Sequence, residues 1–270
     1  MKTNINKIIK DFLPPIFVKY YNWKVQKYRW YGNYKSWDKA KSESSGYDSD
    51  VILQKTMTSL LKVKNGEAIY ARDSVILDKI EYSYPVLAAL MWIALNNDRR
   101  LNLIDFGGSL GAVYFQNKVF LESLKDIRWN IVEQKHFVEC GKAYFENEQL
   151  RFYASIDDCL KKQSSDTVLC SGVIQYIEKP YGLINSLVDK DFEYIIFDRT
   201  TFNAVSVDKL VVQKVNSSVF NASYPCWFLN ISRFKEIFKT RYFLVDEFNS
   251  FENTMSPNEP VFKGFIYRRK

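Results

Sequence analysis

The sequence predicts an α/β fold: a parallel sheet with helices on both faces, a C-terminal antiparallel hairpin and a helical N-terminal extension. From residue 101 to about residue 200, short apolar runs alternate regularly with amphipathic stretches. This alternation favours parallel strands joined by right-handed helical crossovers. Near the C-terminus, two strand-like runs follow each other with no room for a helix between them. They should therefore pair as a hairpin at the sheet edge.

The composition is that of a globular chain. With 270 residues, 47% hydrophobic and 16% aromatic, it can bury the core of one large domain, or of one domain with an appendage. It contains no apolar run long enough to span a bilayer and no apolar block of a signal peptide. We therefore expect a cytoplasmic protein. The four cysteines lack CxxC spacing, which predicts reduced thiols and no metal site.

The basic charge belongs to the N-terminal arm, residues 1–41. This arm has ten Lys or Arg against two acids, whereas the remaining chain has 28 against 29. The chain is therefore not expected to coat nucleic acid. Aromatic residues alternate with lysines through 1–31, and Pro14 and Pro15 divide that stretch into two short helical pieces. Two interpretations stay open: peripheral contact with an anionic membrane, or an arm that packs on the main domain.

Between the arm and the alternating region, the sequence predicts a loop and two helices. The polar stretch 36–49 is predicted as a loop. A helix should run through 51–61 and end at Asn65 and Gly66. A second helix, 84–96, is apolar almost all round and too short to cross a bilayer, so it should be buried against the sheet. Residues 1–100 are thus predicted to form an arm and helical cap.

Residues 101–270 are predicted to form the main domain. Strands are expected at 101–106, 129–133, 150–153, 167–170 and 194–197, and helices at 112–125, 136–145, 156–162 and 181–188. A long stretch after residue 200 leads to a helix at 232–238 and strands at 242–248 and 264–268.

A glycine-rich turn follows the first predicted strand. The strand ends at Asp105, and the turn continues through Gly107, Gly108, Ser109 and Gly111. Glycines let a backbone approach a ligand closely, and the next helix presents unpaired N–H groups. Such a turn alone is weak evidence, because strand-glycine-helix junctions also occur for packing. A second acid, Glu133, ends the next strand, at the edge where open parallel sheets bind ligands.

This arrangement resembles the class I S-adenosylmethionine (SAM)-dependent methyltransferases over residues 101–270. The turn from Asp105 to Gly111 resembles their first motif. The resemblance implies that Asp105 faces the amino-acid end of SAM and that Glu133 binds the ribose hydroxyls. The other cofactor-binding residues it implies are Gly107, Gly108, Ser109, Gly111, Gln134, Ser171 and Gln175. Ser109 stands where the family has its middle glycine, and this departure leaves NAD as an alternative cofactor.

Further segments carry a narrower resemblance. Residues 132–141, 175–181, 196–200, 212–215 and 222–225 resemble a group of bacterial proteins assigned as methyltransferases. That group is often found beside genes for surface-polysaccharide (O-antigen or LPS) synthesis. The resemblance implies a small-molecule or glycan-linked acceptor. The fourth strand lacks the Asn/Asp-Pro-Pro-Tyr ending of enzymes that methylate nucleobase or glutamine amides, so a nucleic-acid substrate is not expected.

Methyl transfer needs donor and acceptor in contact where water is excluded, and a base only if the acceptor must lose a proton. Asp198 and Arg199 follow the fifth strand. An Asp could take a proton from a hydroxyl and an Arg could hold a carboxylate or phosphate, or the two could pair structurally. His136, the only histidine, is either a base or a residue that flanks the adenosine.

An aromatic wall against the substrate is predicted from Tyr176, Tyr224 and Trp227. The alternative is that these three rings pack in the core.

The predicted function is SAM-dependent methyl transfer to a small-molecule or glycan-linked acceptor, with oxygen as the expected methylated atom. Two alternatives remain. One is a non-catalytic SAM-fold module that binds an enzyme of polysaccharide assembly. The other is an NAD(P)-dependent sugar oxidoreductase, which is disfavoured because no Tyr-x-x-x-Lys pair follows the fourth strand.

Overall fold

A computed structural model describes residues 28–46, 49–72, 74–203, 205–215, 222–250 and 260–270. Its centre is a seven-stranded sheet with the order β11-β12-β8-β7-β4-β5-β6. The strands are β4 (Arg100–Phe106), β5 (Asp126–Val132), β6 (Leu150–Tyr153), β7 (Thr167–Ser171), β8 (Tyr194–Phe202), β11 (Tyr242–Asn249) and β12 (Val261–Arg269). The five strands β6, β5, β4, β7 and β8 are parallel, and β12 is antiparallel to β8 and β11. The predicted sheet and closing hairpin are confirmed.

Helices cover both faces of this sheet, as predicted. They are α1 (Trp37–Ser42), α2 (Ser49–Lys64), α3 (Tyr84–Asn96), α4 (Ala112–Leu121), α5 (Lys135–Tyr144), α6 (Ile156–Leu160), α7 (Pro180–Asp189) and α8 (Ile231–Phe238). Side chains of α2, α3, α4 and α5 share one hydrophobic core, and those of α6, α7 and α8 share another. The apolar helix α3 is buried against the sheet, which confirms that prediction. Among the described residues, no helix is long and apolar enough to cross a membrane.

The N-terminal region differs from the prediction in two places. Residues 36–49, expected to be a loop, contain α1, whose N-cap Ser36 accepts a hydrogen bond from the backbone N–H of Lys39. Residues 28–31, expected to belong to a helical piece, form strand β1 (Tyr28–Tyr31). Pairing with a distant strand overrides the local pattern here, since Trp30 lies opposite Gln213. Residues 1–27 of the arm lie outside the described residues, so both interpretations of the arm stay predictions, as does the domain division at residue 100.

A three-stranded antiparallel sheet, absent from the predictions, combines β1 with two strands from the stretch after β8. It consists of β1, β9 (Lys209–Val215) and β10 (Ser223–Phe228), with β9 in the centre. Because strand side chains alternate between faces, one face carries Val211, Cys226 and Phe228 and packs on Tyr176. The opposite face packs on α1. This upper sheet therefore covers the region just beyond the end of β7. A small hairpin, β2 (Tyr70–Arg72) and β3 (Val75–Leu77), was also not predicted.

Candidate functional site

The predicted site residues lie along one edge of the sheet, at the carboxyl ends of its parallel strands. Register places Phe106 beside Val132, which directly precedes Glu133. It also places Ser171 at the end of β7 beside Asp198 in β8. The structure thus brings the glycine turn, the second acid and the Asp198 region to the edge where open parallel sheets bind ligands.

The turn between β4 and α4 is shaped by backbone conformation. Gly107 has φ 72°, Ser109 has φ 55° and Gly111 has φ 98°, all in the left-handed region. A Cβ built on Gly107 would lie 2.4 Å from Cγ2 of Val173, and one on Gly108 would lie 2.5 Å from Cγ of Asp105. Glycine is therefore required at 107 and 108 by close approach. Ser109, the departure noted in the sequence, adopts the backbone conformation that favours the expected glycine.

This geometry predicts opposite effects for two substitutions in the turn. Gly107→Ala should lower the free energy of unfolding by about 2 to 3 kcal/mol, because it adds a clash to a strained left-handed residue. Ser109→Gly should raise it slightly, by less than about 1 kcal/mol, since relief of left-handed strain is largely offset by backbone entropy. Urea unfolding measures both values. A Gly107→Ala protein as stable as the wild type would contradict the geometry of the turn.

Asp105 is a buried acid beneath this turn, 1% exposed. Its Oδ2 accepts a hydrogen bond of 2.9 Å from Nε1 of Trp129. Its Oδ1 has no hydrogen-bond partner among the described residues. Burial raises the pKa of Asp105 to about 7, because desolvation outweighs the lowering by Trp129, and the negative charge of Glu133 raises it further. A buried acceptor oxygen thus remains available at the end of β4.

Glu133 joins the second strand to the turn. Its Oε2 accepts from the backbone N–H of Gln134 at 2.7 Å, and the backbone amide of Ser109 lies near enough to lower the pKa of this carboxylate. Burial raises the pKa of Glu133, while these amides and His136 act in the opposite direction. Gln134 thus contributes its backbone, and its side chain is exposed. A carboxylate has about four acceptor positions, so Glu133 can still bind hydroxyl donors.

His136 lies in the first turn of α5. Its ring packs against Phe137 with centroids 4.9 Å apart, and its buried Nε2 has no hydrogen-bond partner among the described residues. Strands β4 and β7 separate β5 from β8, so the strand that leads to His136 and the strand that contains Asp198 lie about 14 Å apart. The structure therefore places His136 with Glu133 and apart from Asp198.

Asp198 is buried in a hydroxyl network. Its Oδ2 accepts from Oγ of Ser171, and its Oδ1 accepts from Oγ of Ser250, both at 3.2 Å. The Ser250 Oγ in turn accepts from the backbone N–H of Arg199 at 3.1 Å. Ser171, which was predicted to bind the cofactor, thus donates a hydrogen bond to Asp198. Sequence reasoning missed Ser250, which follows the edge strand β11 and comes 52 residues after Asp198.

Arg199 is held over the end of β7. It has φ 53°, and a Cβ built on Gly172 would lie 3.6 Å from its Cζ, so the guanidinium lies directly beside Gly172. Its carbonyl accepts from Nε2 of Gln175 at 3.0 Å. Gln175 is 1% exposed, and its Oε1 has no partner among the described residues. The predicted cofactor residue Gln175 therefore lies beside the predicted catalytic Arg199.

The three aromatic residues predicted at the substrate separate into two places. Tyr176 donates its hydroxyl to Oε1 of Gln213 at 3.0 Å and meets the Tyr224 ring edge-on at 5.2 Å. Trp227 stacks on Trp37 at 6.4 Å, on the opposite face of the upper sheet. Tyr176 and Tyr224 thus lie together, and Trp227 lies apart from them. Gln213 lies in the segment 212–215 that carries the narrower resemblance, but nothing in the sequence indicated its contact with Tyr176.

Two open grooves occur elsewhere, at the amino ends of β4 and β5. Their volumes are about 500 and 550 Å³, and both are lined by polar residues that include Asp126 and Arg128. Neither groove contains a predicted site residue, so the grooves are separate from the candidate site.

Within the described part of the chain, no group of three or more His, Cys, Asp or Glu residues could hold a metal ion.

Comparison with known proteins finds similarity in fold only. No family model matches the chain, and no curated protein sequence matches it. Similar solved structures include 1,6-didemethyltoxoflavin-N1-methyltransferase from Burkholderia thailandensis, with 11% identity over 84% of this chain and 91% of that chain and a TM-score of 0.43. The N-terminal domain of EvdMO1, studied with S-adenosylhomocysteine (SAH) and D-fucose, has 14% identity over 83% and 98%, with a TM-score of 0.48.

A third similar structure is magnesium protoporphyrin IX methyltransferase from Synechocystis PCC 6803 with bound SAM. It has 11% identity over 84% of this chain and 99% of that chain, with a TM-score of 0.44. Identities and TM-scores this low assign neither a substrate nor a residue role, so the site is interpreted from its own geometry. The strand order and directions of the central sheet are those of a Rossmann-like methyltransferase fold.

Proposed function

We propose that the chain is a SAM-dependent methyltransferase. The observation that carries this proposal is the placement of Asp105 and Glu133 at the ends of adjacent strands, on either side of one glycine turn. SAM has an ammonium group at one end and two ribose hydroxyls about a nucleoside's length away. A site for it needs negatively charged acceptors at two such places.

The residues present fit this cofactor. The free acceptor oxygen of Asp105 suits an ammonium donor, and the carboxylate of Glu133 suits the ribose hydroxyls. NAD fits less well. A pyrophosphate bound at the turn would lie beside two acids, Asp105 and Glu133, which supply no positive charge to hold it and repel it when ionised. When bound, SAM would supply a sulfonium methyl group as the electrophile. The chain would supply orientation and exclusion of water.

Asp198 and its surroundings support an acceptor with a hydroxyl group. Two serine hydroxyls hold both oxygens of Asp198 at the end of β8, so its carboxylate has a fixed orientation beside the edge. In that position, Asp198 would take the proton of the acceptor hydroxyl, and Arg199 would bind an anionic group of the acceptor. The aromatic pair of Tyr176 and Tyr224 would pack against the acceptor. Trp227 would contribute indirectly, by fixing the upper sheet on α1.

Small-molecule or glycan-linked acceptors fit this set of groups. A role in bacterial surface-polysaccharide synthesis is part of the proposal and rests on the sequence resemblance. We also propose a cytoplasmic protein whose basic arm, residues 1–41, contacts an anionic membrane near such acceptors. Liposome flotation of the full chain and of a chain without the arm tests the membrane contact.

Isothermal titration with SAM, SAH and NAD tests the cofactor. We expect SAM and SAH to bind one per chain, because the two acids match groups that both ligands carry, and we expect no heat from NAD. Binding of NAD without binding of SAM or SAH would contradict the proposal and favour the oxidoreductase. Mass spectrometry of glycan precursors incubated with protein and SAM would then identify a product with one additional methyl group.

A further inference from the structure

Asp105 is oriented by a side chain that no motif suggested. Trp129 lies in β5, opposite Leu103 of β4. Asp105 is two residues after Leu103 in β4, so Trp129 and Asp105 project from the same face of the sheet. The indole is fully buried, and its N–H donates to Oδ2 of Asp105 at 2.9 Å. Of the two carboxyl oxygens, this bond leaves Oδ1 without a partner among the described residues.

The indole itself is fixed in place. The ring of Tyr114, on α4, packs edge-on against Trp129 with centroids 5.7 Å apart. The Tyr114 hydroxyl donates to Oε1 of Gln149 at 2.8 Å, which anchors this ring in turn. A donor held this firmly restricts the carboxyl of Asp105 to one orientation, so its second oxygen faces a constant direction.

In the absence of a bound cation, the surroundings of Asp105 favour its protonated, neutral form. Burial raises its pKa to about 7, and Glu133, the charged neighbour acting on it, is also negative. On β7, the thiol of Cys170 has a raised pKa caused by burial and by the charge of Asp105. On α4, burial raises the pKa of Tyr114. These groups are neutral near pH 7, so the described neighbours of Asp105 bring no positive charge to it.

Given that the site binds SAM as proposed above, we propose that Trp129 positions Asp105 for the ammonium group of the cofactor, and that cofactor binding expels a proton from Asp105. The protonated carboxyl and the cationic ligand give a carboxylate–ammonium pair, and the proton passes to solvent. Affinity should therefore rise as the pH rises through about 7 and level off above it, because the ionised carboxylate binds the cation.

Titration of SAH between pH 6 and pH 8.5, in two buffers of different ionisation enthalpy, measures both the affinity and the protons released. For the wild type, we expect proton release near pH 7 and binding about tenfold weaker at pH 6 than at pH 8. Asp105→Asn should abolish this proton release, which separates Asp105 from His136 as its source. Proton release that persists in Asp105→Asn would overturn the inference.

Trp129→Phe tests the positioning role. Loss of the indole N–H removes a bond that stabilises the carboxylate, so SAH binding should weaken about fivefold at pH 7 and recover towards pH 8.5. Trp92→Phe is the matched control. Trp92 packs edge-on against Tyr194 in the same core, and its substitution should leave proton release unchanged. A Trp129→Phe profile identical to that of the wild type would overturn the positioning role.

Indole ¹⁵N NMR provides a readout that requires no tryptophan variant. The cross-peak that shifts in Asp105→Asn identifies Trp129; in the wild type it should titrate near pH 7 and cease to titrate with SAH bound. A Trp129 cross-peak insensitive to pH and SAH would overturn the inference. Failure of SAH to bind the wild type at any pH would overturn the proposed function as well, whereas binding without proton release would overturn this inference alone.

Discussion

Replacing Glu133 by alanine is expected to weaken SAH binding about a hundredfold, because two ribose hydroxyls lose a charged acceptor and each such bond contributes about 1.5 kcal/mol or more. The turn would lose a favourable electrostatic contact as well, since the backbone amide of Ser109 lowers the pKa of this carboxylate. Calorimetric titration at pH 8, above the pKa of Asp105, isolates this effect from the titration of Asp105.

Two further variants make the Glu133 test specific. Glu139→Ala removes an exposed carboxylate from the same helix region, where it pairs with Lys135 at 3.9 Å, and should leave SAH binding unchanged. Glu133→Gln keeps the size and one acceptor oxygen, so its affinity should lie between those of the wild type and Glu133→Ala. If Glu133→Ala bound SAH as the wild type does, the ribose would have to bind elsewhere.

Asp198→Asn is expected to reduce the rate of methyl transfer by about 10² to 10⁴, the range typical for loss of a general base. The amide keeps the shape of the carboxyl and can still interact with Ser171 and Ser250, so the fold should be retained. SAH affinity should remain within about twofold of the wild type, because Asp105 and Glu133 are unchanged. Transfer of a labelled methyl group from SAM to a glycan-precursor fraction measures the rate.

The controls for this test separate charge, orientation and fold. Asp246→Asn, on the exposed strand β11, should leave the rate unchanged. Ser250→Ala should reduce the rate by a smaller factor than Asp198→Asn, because Ser171 still holds one oxygen of Asp198. Full methyl transfer in Asp198→Asn would exclude Asp198 as the base. A biological function that survives this substitution and is lost with the basic arm would favour the non-catalytic module.

The pattern of apolar residues along the sequence was sufficient to predict the strands of the central sheet. The bounds of α3, Tyr84–Asn96, agree with its apolar stretch because a buried helix must be apolar over the length that packs. The closing strands β11 and β12 follow from two apolar runs with no helix between them. The edge that carries Asp105 and Glu133 follows in the same way, since parallel strands place their carboxyl ends together. These features depend on residues close in sequence.

Contacts between distant segments decided the features that the sequence did not predict. Strand β1 forms because its backbone bonds to β9, which lies about two thirds of the chain length away in sequence, and no local pattern encodes such a partner. Ser250 contacts Asp198 from just beyond the end of β11, and Trp129 contacts Asp105 from the neighbouring strand β5. Sequence reasoning predicted which acids stand at the edge of the sheet. Which donors orient those acids depends on packing between distant segments, because a hydrogen bond forms wherever the fold brings two groups together.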